Sequence, residues 1–193
     1  SGMREFLKKL QPTVIEDLIA MNALYRPGPM ENIDNFISRK HGKKKIVYSQ
    51  PLMEPILKET YGIIVYQEQV MQIAHEIAGF TLAEADIMRR AMGKKIKSLM
   101  AELAIKFVAG AEEKGINKNK AEEIFSLIEK FAQYGFNKSH ATAYAMIAYQ
   151  TAYLKTYHPN EFIAASMSNE LSNTDKLCEF FEELKRLEIK VQR

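Results

Sequence analysis

Apolar residues recur every three or four positions along almost the whole chain, and glycine or proline interrupts the pattern at short intervals. This spacing places apolar side chains on one face of an α-helix, and the interruptions mark helix ends. The clearest stripe consists of Ile124, Leu127, Ile128 and Phe131. The β-branched run 63–65 is long enough only for a small strand. The sequence therefore predicts a mainly α, multi-helix fold of about nine helices with at most short β segments.

Several local signals give sharper expectations. Thr81 and Glu84 have the spacing of a capping box, in which each side chain satisfies an unpaired N–H of the first helical turn. Asn119 resembles a second helix start, and Ser139 is expected to cap a helix that runs to about Tyr157. Extended backbone is expected at 45–49, and the start of a strand at 189–191.

Composition limits the class of protein. The chain has 193 residues, 47% of them apolar, which is enough for a substantial core. It has no apolar run of the ~18 residues that a membrane span needs. The single cysteine, Cys178, cannot form an internal disulfide, so a cytoplasmic location without membrane contact is expected.

Positive charge is concentrated in two short clusters, although the net charge is only +3. The clusters are 39–45 and 89–97. Cations without interleaved acids repel one another and are better tolerated beside an anionic partner. The alternative is that both clusters are simply solvated faces of the surface.

The sequence lacks a self-sufficient active site. Phosphoryl chemistry with two metal ions needs converging carboxylates, and the four aspartates are isolated from one another. No zinc-type spacing of Cys and His is present, and no glycine-rich phosphate loop. We therefore predict no catalytic residue and no metal ligand in this chain.

Two segments are suited to holding a polyanion. In the first, Arg89 and Arg90 come near a helix end and are followed by Lys94 and Lys95. Cations are favourable at a helix C-terminus, but two guanidiniums and two ammoniums exceed what capping requires. We interpret this group as a phosphate-binding site.

The second segment is the turn between two predicted helices, which we call the 135–140 turn. A helix N-terminus offers unpaired N–H groups and a positive dipole end to an anion. Aromatic side chains nearby can stack on a base. The candidate binding residues here are Gly135, Phe136, Asn137, Lys138, Ser139 and His140. The alternative is a helix–turn–helix corner whose aromatic residues belong to the core.

Two further segments give weaker candidates. Tyr66 and Gln69 lie at the predicted start of a helix, among several amides. Arg26 precedes Pro27, Gly28 and Pro29, whose prolines stiffen the loop that carries it.

The chain resembles the bacterial replicative DNA polymerases of the C family, the alpha subunits of DNA polymerase III. The matching segments are LYRPGPM (24–30), FISRKHG (36–42), TYGIIVYQEQVMQIA (60–74), ADIMRRAMGKK (85–95), EKFAQYGFNKSHATAYA (129–145) and YQTAYLKTYHPNEFIAA (149–165). They cover most of the chain in the order typical of that family. The resemblance implies the fingers domain, with a core at 1–170 and a final helix leading to the following region at 171–193.

The resemblance also implies roles for the candidate residues. Arg89 and Arg90 would contact the triphosphate of the incoming dNTP with support from Lys94 and Lys95, and the 135–140 turn would approach the nascent base pair. Arg26, Tyr66 and Gln69 would line or brace that site. The partners would be dNTP, primer–template DNA, the palm of the same polypeptide and, through other regions, further replicase subunits.

By the same resemblance, the catalytic aspartates and their magnesium ions belong to the palm, outside this chain. The chain alone is then expected to be inactive, although the parent protein would be a DNA-directed DNA polymerase. Two alternatives remain at this point: a free-standing basic helical module that binds nucleic acid, and an adaptor protein.

Overall fold

A computed structural model describes residues 2–132 and 134–191. Within these ranges it contains eleven α-helices. They are α1 (Gly2–Leu10), α2 (Ile15–Leu24), α3 (Ile33–Lys40), α4 (Glu54–Leu57), α5 (Gln67–Ala78), α6 (Leu82–Gly93), α7 (Lys97–Glu113), α8 (Lys118–Ala132), α9 (Lys138–Tyr157), α10 (Pro159–Asn169) and α11 (Thr174–Arg186). Short 3-10 helices lie at Pro29–Asn32, Pro51–Met53 and Lys58–Thr60. No described helix combines the length and the apolar character that a membrane crossing requires.

The mainly α fold with at most short β segments is confirmed. The described ranges contain eleven α-helices, more than the nine or so that were expected. In the described ranges the expected short strands at 63–65 and 189–191 are not formed, and 45–49, expected as extended backbone, belongs to no helix or strand. Among the described residues, no ladder of backbone hydrogen bonds joins these segments to another, although Ile46 and Val47 lie beside Gly62. Within 2–132 and 134–191, the one β-type contact is an isolated parallel bridge between Tyr66 and Phe136.

Helix starts depend on specific side chains. The predicted capping box of α6 is confirmed, because Thr81 Oγ1 accepts from the Glu84 N–H and the Thr81 N–H donates to Glu84 Oε2. α8 begins before the expected Asn119, with Asn117 Oδ1 accepting from the Asn119 N–H. At α9 the cap is Asn137 and not Ser139, because Asn137 Oδ1 accepts from the His140 N–H at 2.9 Å.

The chain divides into two compact units, Ser1–Ala145 and Met146–Arg193, with residues 1, 133, 192 and 193 outside the described ranges. The predicted fingers boundary at 170/171 concerns the domain of the parent protein and stays a prediction.

Two hydrophobic clusters form the interior of the first unit. The larger one is built from α5, α6, α7 and α8 around residues such as Val70, Met88, Phe107 and Ile124. α5 and α7 approach so closely that a Cβ on Gly110 would overlap the carbonyl of Ala78, so this position requires glycine. The smaller cluster joins α1, α2 and α3 to Val65, Tyr66 and the start of α9.

The second unit contains the rest of α9 with α10 and α11. Ile163 and Leu184 are its buried apolar residues. Lys155 binds Glu183 at 2.7 Å, and Glu183 also binds Arg186. None of the predicted binding residues lies in this unit.

Candidate nucleotide-binding surface

Arg89 and Arg90 lie in the last turns of α6, where both guanidiniums bind one carboxylate. Arg89 Nη2 is 2.7 Å from Asp86 Oδ1, and Arg90 Nε is 3.0 Å from Asp86 Oδ2. The pKa of Asp86 is lowered, chiefly by the hydrogen bond from Arg89. The two side chains therefore converge on one carboxylate. Three and four residues separate them from Asp86, so all three share one helix face.

The two lysines that follow lie in the turn after α6. Lys94 is the C-cap residue, and both lysines are exposed. Gly93 is the last residue of α6, and Lys95 takes the left-handed conformation with φ 55°. For a residue with a Cβ, this backbone conformation costs about 1 kcal/mol. Lys95 lines an open groove of about 630 Å³ that Lys97 and Lys130 also line.

An anion does lie at the start of α9, but it is the protein's own Glu68. Both carboxylate oxygens of Glu68 accept from the Lys138 N–H, at 3.0 and 3.1 Å. Glu68 Oε1 also accepts from Asn137 Nδ2 at 2.9 Å. The N–H groups that the sequence offered to a ligand are therefore partly satisfied from within the first unit.

The side chain of Lys138 is paired as well. Its Nζ lies 2.7 Å from Glu59 Oε1 and 2.8 Å from Oε2. It also lies 5.4 Å from the centre of the Tyr66 ring. About a third of the lysine side chain remains accessible to solvent (36%). Glu59 and the Tyr66 ring thus fix the position of the Lys138 ammonium, and its solvent-exposed part can still bind a ligand.

Arg26 joins the preceding loop to the 135–140 turn. Arg26 Nη2 donates to the Tyr134 carbonyl at 2.8 Å, and its guanidinium lies 4.1 Å from the centre of the Phe136 ring. Phe136 contacts His140, and His140 contacts Tyr144, with ring centroids 5.3 and 4.8 Å apart. His140 and Tyr144 are exposed. The rings of His140 and Tyr144 are therefore accessible to solvent close to the Arg26 guanidinium, whose position is fixed by these contacts.

Gln69 and Tyr66 are buried and act as a brace. Gln69 Oε1 accepts from the N–H groups of Val65 and Tyr66, and its Nε2 donates to Ile56 and Thr60. Burial raises the pKa of Tyr66 far above its usual range, so its phenol stays protonated. The Gln67 N–H donates to the Phe136 carbonyl at 2.9 Å, which ties the start of α5 to the turn.

The structure brings Arg26, Tyr66 and Gln69 together with the 135–140 turn. In the part of the chain that it describes, no hydrogen bond, ion pair or ring contact joins Arg89 or Arg90 to that turn. The three carboxylates Asp86, Glu59 and Glu68 were missed by sequence reasoning. Only Asp86 could have been found, from its helical spacing to the arginines, because the other two act across long sequence separations.

Within residues 2–132 and 134–191, no group of three or more His, Cys, Asp or Glu side chains could hold a metal ion. The donors present do not fit a two-metal centre, since Asp86 and Glu59 bind Arg or Lys side chains and Glu68 binds Asn137 and the Lys138 N–H. No metal-dependent step is assigned to these residues.

Comparison with known proteins gives a consistent result. Residues 1–115 match the family described as the bacterial DNA polymerase III alpha subunit finger domain. The chain is 55% identical over 190 residues to the DNA polymerase III subunit alpha of Borreliella burgdorferi, which covers 98% of this chain and 17% of that protein. It is 56% identical over 191 residues to that of Caulobacter vibrioides, with 99% and 17% covered. The corresponding protein of Xylella fastidiosa is 53% identical over 193 residues, with 100% and 16% covered. The chain thus spans about one sixth of the length of these relatives.

Proposed function

Because this chain belongs to the family of the bacterial DNA polymerase III alpha subunit finger domain, we propose that it grips the incoming dNTP and the nascent base pair in a DNA-directed DNA polymerase. The resemblance noted in the sequence is confirmed at the level of the family. The binding roles of individual residues, and the activity of the longer polypeptide, are part of the proposal.

The observation that carries the proposal is the cation group at the end of α6. Arg89, Arg90, Lys94 and Lys95 lie within seven residues, and the carboxylate that pairs with the arginines is Asp86. Four cations beside one carboxylate leave a local excess of positive charge, which suits a triphosphate. The left-handed backbone of Lys95 supports this role, since strained residues concentrate at functional sites.

Asp86 gives the arginines a defined starting geometry. A guanidinium held on one side by a carboxylate keeps other N–H donors for phosphate oxygens, because it has five donors in a fixed plane. Holding both groups in place lowers the entropy lost when the nucleotide binds. The chain would then contribute by positioning and by stabilising charge that develops on the phosphates.

The 135–140 turn supplies the second part of the proposed surface. Its cation, Lys138, and the exposed rings of His140 and the neighbouring Tyr144 suit a base pair, whose faces stack on aromatic side chains and whose backbone is anionic. Arg26 fixes Phe136 from one side, and Glu68 fixes the start of α9 from the other. The turn is therefore held before any nucleic acid arrives.

The chemical step would lie with other parts of the longer polypeptide. We propose that its palm holds the catalytic carboxylates and magnesium, which stabilise charge as a primer hydroxyl attacks the α-phosphate and pyrophosphate leaves. Primer–template DNA and the palm are the partners of this chain in that reaction. Other replicase subunits would bind through regions outside it.

The test is steady-state kinetics of the full-length polymerase carrying Arg89→Ala and Arg90→Ala. We expect the KM for dNTP to rise and kcat to fall, with kcat/KM reduced on the order of 100-fold, because two charge-assisted contacts are lost. Lys118→Ala with Lys120→Ala is the matched control, since it removes two positive charges from α8 of the same unit. Wild-type kinetics for the arginine variant would exclude the pair from the nucleotide site.

A further inference from the structure

The part of α9 that belongs to the second unit carries an exposed apolar face. Within that unit, every residue from 146 to 157 is exposed. The large apolar side chains of this segment are between 44% and 66% accessible to solvent, and they are Met146, Ile147, Tyr149, Tyr153, Leu154 and Tyr157. The three tyrosines recur every four residues, and the centroids of successive rings are 6.3 and 4.7 Å apart. Side chains at that spacing share one side of a helix, so the rings form a continuous strip, which we call the tyrosine face.

The tyrosine face points away from the packed side of the segment. Lys155 binds Glu183 of α11 at 2.7 Å. Lys155 lies two residues from both Tyr153 and Tyr157, and at 3.6 residues per turn that separation puts side chains on nearly opposite sides of a helix. The contact with α11 therefore leaves the tyrosine face uncovered.

The segment 146–157 lacks the packing that ordinarily stabilises a helix. Most helical stability in proteins comes from burial of an apolar face, and a helix of about twelve residues is marginal in water by itself. Burial of a large apolar side chain contributes about 1.5–3 kcal/mol. A contiguous apolar patch on a protein surface is typical of an interaction site. The tyrosine face is therefore suited to a partner surface that buries it.

Charge and size favour one kind of partner. The single charged residue of the segment, Lys155, is already bound to Glu183, whereas Lys and Arg contacts to phosphate supply most of the affinity for a nucleic acid. A second copy is disfavoured, because six side chains are far fewer than the roughly 20–30 residues on each side of a stable interface. A surface on the same polypeptide needs less area, since its covalent tether makes the contact intramolecular.

We propose that the tyrosine face docks into an uncharged, apolar groove of the longer polypeptide, outside these 193 residues. The chain spans only 16–17% of the length of its relatives, so most of the polypeptide that could supply such a groove lies outside it. Anchors that repeat along one helix side are the pattern by which an apolar helix face fills a groove. The proposal rests on the longer polypeptide of the proposed function and not on the nucleotide contacts of Arg89 and Arg90.

The test compares amide hydrogen exchange of residues 146–157 in the 193-residue chain and in the full-length polymerase, both without DNA and nucleotide. We expect exchange to be at least about 100-fold slower in the full-length protein, because the buried tyrosines stabilise the segment there. Equal rates in the two proteins would overturn the proposal. Slow exchange already in the 193-residue chain would do so as well, and sedimentation velocity would show whether a second copy covers the face. Protection that appears only after primer–template DNA is added would assign the face to nucleic acid instead.

Two substitutions in the full-length polymerase test the tyrosine face itself. Tyr153→Asp places a charge in the proposed groove and should accelerate exchange of 146–157 at least about 30-fold. Ala148→Asp is the matched control, because Ala148 is also exposed but lies seven residues before Lys155, on the same side of the helix as that lysine. It should change exchange by no more than about threefold, the cost of aspartate in a helix. Equal effects of the two substitutions would overturn the proposal, while the kinetics of the Arg89 and Arg90 variant would still decide the nucleotide site.

Discussion

The carboxylate of Glu68 accepts the backbone N–H of Lys138 at 3.0 and 3.1 Å, although 70 residues separate the two in sequence. An acidic side chain from the first turn of α5 thus serves as a cap for α9. It places a negative charge at the positive end of the α9 dipole, and it fixes the residue that we assign to the nascent base pair.

Glu68→Gln should lower the free energy of unfolding of the chain by about 1–2 kcal/mol, because a charge-assisted hydrogen bond at a helix N-terminus is replaced by a neutral one. Amide hydrogen exchange should accelerate most in the first turn of α9. Glu122→Gln on α8 is the control, since Glu122 is exposed and lies in the interior of its helix. Equal effects of the two substitutions would show that the cap is not needed.

Asp17 and Lys40 form a buried ion pair at 2.7 Å, with 1% and 8% of the two side chains exposed. Tyr61 Oη also donates to Asp17 at 2.9 Å. Asp17→Asn should cost about 3–5 kcal/mol, because Lys40 is left buried without a counter-charge. Urea unfolding measures the loss, and Asp17→Asn combined with Lys40→Met should recover part of it. No recovery in the double variant would mean that the hydrogen bonds of Asp17, and not the unpaired charge, account for the loss.

The same pair predicts a pH dependence. Burial raises the pKa of Asp17, but the hydrogen bonds and charge of Lys40, with Thr13 and Tyr61, outweigh it, and the net pKa is lowered from 3.8. The unfolded chain therefore binds a proton more readily than the folded one. The stabilisation is complete above the unfolded value and is lost as the pH falls through the lower folded value. Asp17→Asn should therefore reduce the fall in the free energy of unfolding at low pH, measured by urea unfolding across a pH series. If that fall is unchanged in the variant, it belongs to other carboxylates.

Gly28 is required for two reasons. Its φ of +99° is unfavourable for side chains, and a Cβ there would overlap the ring of Tyr134. Gly28→Ala should lower the free energy of unfolding by more than about 2 kcal/mol and disturb the resonances of the 135–140 turn. Gly42→Ala is the matched control, with φ +68° but nothing within 4 Å of the added Cβ, so it should cost only about 1 kcal/mol. Similar costs for both would mean that Tyr134 moves aside without penalty.

The 193-residue chain should bind duplex DNA weakly by itself, because Asp86 and Glu59 partly neutralise its candidate cations. Fluorescence anisotropy across salt concentrations should give a shallow dependence, with a logarithmic slope smaller in magnitude than about 2. A slope of about −4 or steeper would favour the free-standing nucleic-acid-binding module over the fingers of a larger enzyme.

Local pattern was sufficient to predict α6, including its capping box at Thr81 and Glu84. It failed at α9, where Ser139 was the expected cap and Asn137 is the observed one. Both residues have side chains that can cap a helix. The choice between them depends on Glu68, which holds Asn137 from a distant helix, and no single-sequence pattern contains that contact.

The sequence by itself determined the helical class and the residues able to hold a polyanion, because helical periodicity and side-chain chemistry are local properties. Tertiary structure decided which of these residues are exposed and what neutralises them. It buried Gln69 as a brace and paired Lys138 with Glu59. It also bound Arg39 to the Tyr61 carbonyl, 22 residues away in sequence. Those outcomes depend on which distant segments pack together. Hydrophobic burial drives that packing, but it is non-directional, so the partners of a given side chain follow from the fold of the whole chain and not from its local sequence.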